Sequence, residues 1–225
     1  MCSLLLTLTS HNEVLLFRGQ DSGLTESRNL PSMKITIGVA TNRGIRPQTV
    51  QCLLELVAHG GYQFHILVAS EGYNTAENRN YISVQAIKNR SDYLFFIDDD
   101  MTFEPDVLDK LMAHKKEIVG VAYHPRTETP RNGSMDEVHI ITLEKSTDEK
   151  YKSLFPCKAI GTGVMLIDTK VFSRIPRPWF AYEHYDTGMV KVGEDWWFCI
   201  EAGKVGIKVW CDPTIPIKHI GDKLY

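Results

Sequence analysis

The sequence predicts an α/β fold, a parallel sheet with helices on both faces, in a chain of 225 residues. Two observations predict it. Between residues 33 and 123, short β-branched or apolar runs alternate with segments whose apolar residues recur at helical spacing, the pattern of βαβ units. The polar groups of that region, Thr41-Asn42-Arg43, Glu71 and Asp98-Asp99-Asp100, all follow the ends of the apolar runs. Open parallel sheets bind their ligands beyond the carboxyl ends of the strands.

Residues 34–40 (KITIGVA) form the first core strand and stop at the loop Thr41-Asn42-Arg43-Gly44. Residues 47–58 form a helix, because Pro47 suits a first turn and Gly60-Gly61 end the apolar periodicity. Residues 64–69 (FHILVA) are a second buried strand, followed by the polar SEGYNT. Residues 76–89 place Ile82, Ala86 and Ile87 on one side of a second helix. Residues 93–97 (YLFFI) form a third strand, Pro105 and Asp106 open a helix over 107–114, and residues 117–123 form a fourth strand. After that the alternation is lost. Residues 123–134 read as a loop, 138–143 as a strand, 146–152 as a polar turn, and 157–168 as a strand with a Gly-rich start. A short helix over 193–203 has Glu194 and Asp195 in its first turn and a glycine at its end. Residues 207–211 and 215–221 are short terminal strands.

Composition narrows the function classes. The chain is 43% hydrophobic and 24% charged with net charge −3, a balance that gives no support to nucleic acid or an anionic membrane as partner. No apolar run approaches the roughly 18 residues of a spanning helix. The cysteines at 2, 52, 157, 199 and 211 are odd in number and form no C-x-x-C. They read as reduced and mostly buried, which fits a cytoplasmic protein without structural zinc. Residues 1–32 read as a poorly ordered extension, since their apolar start is too short for a signal peptide and residues 11–31 are polar without period. One domain over 33–225 is expected.

The third strand ends in three adjacent carboxylates, which repel one another and are costly to bury unpaired. Either they are a solvated strand end, or a cation sits among them. So dense a cluster after the most apolar run favours the cation, since Mg²⁺ and Mn²⁺ are held by one or two carboxylates plus the phosphates of a substrate. Alternate side chains of extended backbone share a side. Asp98 and Asp100 are therefore expected together, with Asp99 turned elsewhere and the most replaceable of the three.

The segment FFIDDDM resembles the D-x-D segment of the GT-A glycosyltransferases, especially the family-two type, and the resemblance runs in order along nearly all of residues 33–221. Thr41-Asn42-Arg43 sits where that family begins its nucleotide pocket. AENRN (76–80) is similar to its A-R-N-x-G helix start, GTGVMLIDTKVF (161–172) to its Gly-rich strand and R-R-x-x-F segment, GED (193–195) to its G-E-D, and PIKHIG (216–221) to its late strand with a histidine. The departures are Ser70-Glu71-Gly72 for D-D-G-S, Glu77 for an arginine, and Asp168-Thr169-Lys170 for the R-R pair.

The resemblance implies a GT-A fold, a Rossmann-like mostly parallel sheet flanked by helices, with a nucleotide-binding half over about 33–123 and an acceptor half over about 124–225. It implies nucleotide-sugar contacts from Thr41, Asn42, Arg43, Glu71, Asn78, Arg79, Asp98 and Asp99. Metal ligation falls to Asp98, Asp100 and His219. Histidine suits Mn²⁺ better than Mg²⁺, so manganese is expected ahead of magnesium. The acceptor side is read as Gly161, Thr162, Gly163, Glu194, Trp196 and Trp197, and Asp195 as the general base, desolvated beside the two tryptophans.

For each role a plainer reading stands beside it. Glu194 and Asp195 are also what a helix N-terminus favours, a lone histidine is often a packing residue, and Trp179, Phe180 and Tyr182 are candidates for core as much as for a sugar platform. Arg126 and Arg131 read first as solvated charges. The expected activity is metal-dependent transfer of a hexose from a nucleoside-diphosphate sugar to a hydroxyl of a saccharide, lipid-linked glycan or protein, with inversion. The alternatives are a nucleotidyltransferase, a phosphohydrolase, or a silent glycan-binding domain.

Overall fold

The computed structural model describes residues 14–17, 33–123, 140–142 and 153–220. Its centre is a nine-stranded sheet with order β1-β3-β2-β4-β9-β6-β12-β8-β7. The strands are β1 (Val14–Phe17), β2 (Lys34–Ala40), β3 (Gln63–Ala69), β4 (Tyr93–Ile97), β6 (Ile118–Val121), β7 (Ile140–Thr142), β8 (Phe155–Ile160), β9 (Val164–Asp168) and β12 (Val209–Asp212). By their pairings β1, β8 and β9 run against the other six, so the sheet is mostly parallel in direction. Two small sheets lie apart from it: β5 (Met101–Phe103) pairs with β13 (Ile217–His219), and β10 (Glu183–His184) with β11 (Val190–Val192).

Strand alternation produces the two-faced core. In β4, Leu94 and Phe96 point into one apolar layer with Ala76, Ile82 and Ala86 of α2 (Thr75–Lys88) and Phe198, Cys199 and Ala202 of α4 (Glu194–Lys204). Phe95 and Ile97 point into the other, with Leu53 and Leu56 of α1 (Pro47–His59) and Val107, Leu108 and Leu111 of α3 (Val107–Ala113). Leu94, Phe95, Phe96 and Ile97 are all at most 1% exposed, which is why this run has no polar face. Helix α2 starts where Asn74 accepts the Glu77 N–H at 3.0 Å, an N-cap that satisfies one orphan donor.

Three elements differ from the sequence reading. The stretch 157–168 is two strands, because the chain steps across the sheet at Gly161-Thr162-Gly163 without changing direction: β8 pairs with β12 and β7, whereas β9 inserts antiparallel between β4 and β6. The β10–β11 hairpin and β5 are additional, and both are too short to leave a periodic pattern. Residues 14–17, inside the stretch read as an extension, form β1 against the free edge of β3. Residues 124–134 and 146–152, with Arg126 and Arg131, lie outside the described residues.

The topology fixes where a site can be. From β2 the chain crosses over α1 to β3 on one side, then over α2 to β4 on the other. Between the carboxyl ends of β2 and β4 the order reverses, the switch point at which doubly wound sheets hold ligands. Thr41-Asn42-Arg43 and Asp98-Asp99-Asp100 emerge there.

Candidate active site

A cavity of about 410 Å³ opens at this switch point, lined by Ala40, Thr41, Asn42, Arg43, Thr75, Arg79, Asp98, Asp99, Tyr123, Glu194, Asp195 and His219. Of the residues singled out from sequence, Thr41, Asn42, Arg43, Arg79, Asp98, Asp99, Glu194, Asp195 and His219 are thus brought together from five separate parts of the chain. Asp100 lies behind the wall and is fully buried.

The expectation that Asp98 and Asp100 share a side is corrected. Extended backbone ends at Ile97, and Asp99-Asp100 form a turn, so the two-residue alternation does not reach them. Asp98 is anchored by its own N–H to Gly163 O at 3.0 Å, and its carboxylate accepts Arg79 Nη2 at 2.8 Å. Asp99 lines the cavity rather than facing away: Thr41 Oγ1 donates to its Oδ2 at 2.5 Å and Arg43 Nη2 to its Oδ1 at 2.9 Å. Asp100 accepts Arg43 Nη2 on Oδ2 at 2.5 Å, and His219 Nε2 lies 3.1 Å from its Oδ1. Its carbonyl accepts the Ile220 N–H at 2.7 Å, which is how the last strand delivers His219 to the acids.

Arg79 is the electrostatic hub. Only 4% exposed, it binds Asp98 with one terminal nitrogen and Glu194 with the other. Burial alone would lower its pKa; the charges of Asp98, Glu194 and Asp195 outweigh that and raise it, so the guanidinium stays charged. It ties the N-terminal part of α2 to the first turn of α4. Tyr182 reinforces the same seam: its phenol, pushed up to about 12 by burial and then by Glu194, bonds to Glu194 and Thr75.

Asp195 behaves differently from its neighbours. Its Oδ1 accepts the Trp196 N–H at 2.8 Å. Burial pushes its carboxyl up to about 6, with Glu194 and Asp98 adding to the rise while Arg79 and the Trp196 N–H oppose it. An acid so placed loses its proton near neutrality, as a general base must.

Other residues take structural places. Asn78 is 2% exposed and pins loops, donating to Asn42 Oδ1 at 3.1 Å and accepting the Gly72 N–H at 2.8 Å. Glu71 is exposed and is not among the lining residues. Gly161, Thr162, Gly163, Trp196 and Trp197 also lie off the cavity wall. Trp179 and Phe180 are core, at 2% and 1% exposed, and Phe180 stacks on Phe198 at 4.8 Å. Tyr123 and Thr75 line the cavity without having been singled out. Tyr123 lies just past β6 and Thr75 opens α2, and position at the sheet's carboxyl edge was the available signal.

Among the described residues no set of three or more His, Cys, Asp or Glu side chains is arranged as a ready metal cage. The Arg43 guanidinium bridges Asp99 and Asp100 and offsets part of their charge. The donor chemistry nonetheless suits a hard divalent ion, with carboxylate oxygens from Asp98 to Asp100 beside the His219 imidazole. Arg43 is 44% exposed in its side chain.

No protein-family model matches the chain, and no curated protein matches it. Among solved structures, the A197 protein from STIV superposes with a TM-score of 0.60 at 16% identity, over 84% of this chain and 87% of that one. TarS 1–349 from S. aureus in complex with UDP-GlcNAc gives 0.42 at 15% identity, over 80% of this chain and 56% of that one. The inositol-1-phosphate CTP transferase from T. maritima gives 0.47 at 15%, over 84% and 89%. At such identities the likeness to the STIV protein is one of fold. The fold is GT-A. In this domain β9 is an antiparallel strand inside the mostly parallel sheet, and in the separate β5–β13 pair the acidic turn leads directly into one strand and His219 ends the other. No helix among the described residues is long and apolar enough to cross a membrane.

Proposed function

We propose that this chain is a glycosyltransferase that moves a hexose from a nucleoside-diphosphate sugar to a hydroxyl of a saccharide, lipid-linked glycan or protein, with inversion, in the cytoplasm. One observation carries the reading: the cavity at the switch point holds two kinds of acid. Asp98 and Asp99 are paired with Arg79 and Arg43 as acceptors. Asp195, lining the same cavity, is desolvated and pushed up to about 6. Ion-paired acids serve binding, and a desolvated one serves proton transfer.

Thr41, Asn42 and Arg43 hold the nucleotide end, and Arg43, once released from the acids, meets the diphosphate. A divalent ion, Mn²⁺ ahead of Mg²⁺, would be held by Asp98, Asp100 and His219 once Arg43 leaves Asp100 and that acid turns to the cavity; it would supply positive charge that stabilises the departing diphosphate. Asp195 takes the acceptor's proton. Its Oδ1 is occupied by the Trp196 N–H, which leaves Oδ2 as the basic oxygen. As the acceptor oxygen bonds to C1 of the sugar, its proton passes to Oδ2, and the C1–O bond to phosphate breaks with the electron pair leaving on the diphosphate. Glu194, committed to Arg79 and Tyr182, orients rather than reacts.

Turnover of UDP-glucose, UDP-N-acetylglucosamine and GDP-mannose, measured with Mn²⁺ and after EDTA, tests this. Metal-dependent release of the nucleoside diphosphate is the expected result. Full activity in EDTA removes the metal from the reading, and release of pyrophosphate in place of a nucleoside diphosphate replaces it with a nucleotidyltransferase.

A further inference from the structure

Tyr123 is the polar residue of the cavity for which the reaction above has no use. It lies two residues beyond β6 and is 6% exposed, on the cavity wall with Asp98 and Asp195 and edge-on to His219 with ring centroids 5.6 Å apart at 84°. Its hydroxyl accepts the Gly163 N–H at 3.2 Å. The β8–β9 turn is shaped around it. A Cβ on Gly161 would come within 2.2 Å of the phenolic oxygen, and one on Gly163 within 2.7 Å of the ring. Any side chain at either glycine would therefore evict the phenol. The two glycines read from sequence as acceptor-binding are in fact the seat of Tyr123.

The hydroxyl carries a cost that a phenylalanine would avoid. It is buried beside carboxylates, and burial, then the charges of Asp98 and Asp195, raise its pKa well above the usual 10.0. It stays protonated and is a fixed donor. Its position is shared with the base: the point above Gly161 that lies 2.2 Å from the Tyr123 oxygen lies 3.4 Å from Asp195 Oδ2. On the proposed reading the nucleotide end is at Thr41–Arg43 and Asp98–Asp99, and Asp195 must reach the far side of C1. The transferred sugar then spans the gap between Asp98 and Asp195, and Tyr123 is its floor.

We infer that Tyr123 is a sugar-contact residue, whose hydroxyl donates to a hydroxyl of the hexose being transferred and so distinguishes the sugar nucleotide from the bare nucleoside diphosphate. The inference rests on the glycosyltransferase reading. A sugar has several hydroxyls and no charge, and a neutral, rigidly seated donor beside two acids suits that chemistry better than it suits a phosphate.

Calorimetry with Mn²⁺ tests it, using UDP, UDP-glucose, UDP-N-acetylglucosamine, GDP and GDP-mannose against the wild-type chain, Tyr123→Phe and Gly161→Ala. The wild type is expected to bind one sugar nucleotide more tightly than its parent diphosphate. Tyr123→Phe should weaken that sugar nucleotide about 3–10-fold, the worth of one net hydrogen bond, and leave the diphosphate unchanged. Gly161→Ala, which displaces the hydroxyl without removing it, should give the same selective loss, and the double variant should lose no more than either alone. Should the phenylalanine variant fold poorly, Gly161→Ala alone decides. Equal weakening of sugar nucleotide and diphosphate overturns the inference, as does no weakening of either, or a wild type that gains nothing from the sugar. A wild type that binds none of the five overturns the glycosyltransferase reading and the inference with it.

Discussion

Asp195→Asn should make the protein more stable and less active at once. The Asp195 carboxyl is raised from the usual 3.8 to about 6, chiefly by burial, so the folded state holds its proton more tightly than the unfolded chain does. The sign follows: stability falls as pH rises through the window between the two values, and above it the ionised group opposes folding by its full amount. At about 1.4 kcal/mol per pKa unit, that amount is about 3 kcal/mol at pH 8, an upper bound for a carboxyl that faces a cavity. Asparagine removes the charge, and its amide oxygen still accepts the Trp196 N–H that Oδ1 accepts now. A gain of about 1–3 kcal/mol is therefore expected by urea denaturation at pH 8, and most of it should vanish by pH 4, where the wild-type group is protonated in the fold. Donor binding should persist while transfer collapses. A variant less stable than wild type at pH 8, or one with the same gain at pH 4, would refute the desolvation argument.

The remaining predictions concern the same cavity. The rate of transfer should fall on the acid side with an apparent pKa near 6, as Asp195 takes up its proton; an acid limb near 4 would point to another base. Asp100→Ala should abolish metal-dependent turnover, because it removes a buried partner of both Arg43 and His219; calorimetric titration of Mn²⁺ and an activity assay read the two effects separately. Arg79→Met should cost about 3–5 kcal/mol of stability, since it strands Asp98 and Glu194 without their shared cation; a loss below about 1 kcal/mol in denaturant would show that the pair is solvated.

The nucleotide-binding half was legible because its signals are local. Ile35, Ile37 and Val39 alternate with residues on the other face, Pro47 marks a helix start, and Gly60-Gly61 mark its end; each lies within or beside the element it defines. The Asp98–Asp100 cluster announced itself through charge density at the end of an apolar strand. What stayed hidden depends on distance along the chain. Arg79 meets Glu194 across 115 residues, and nothing near either position says that they pair. The misplacement of Asp99 came from extending strand alternation past Ile97, where the backbone turns. The split at Gly161–Gly163 was masked by continuous hydrophobicity on both sides, and the reason for its glycines is an aromatic ring 40 residues earlier.

The place of β9 has a bearing on how such a domain can change over time. The half expected to choose the acceptor does not sit beside the nucleotide half as a detachable cassette; it threads a strand into the middle of it, between β4 and β6. Five of the backbone pairings that hold Tyr93 to Ile97 in line are made with that strand, and so is the bond from Asp98 to Gly163. Recombination that swapped the second half for another would rebuild the strand that aligns the acids. On the proposed reading, new acceptors would be reached through loops and the β10–β11 hairpin, which can be lengthened or exchanged while the interleaved sheet stays as it is.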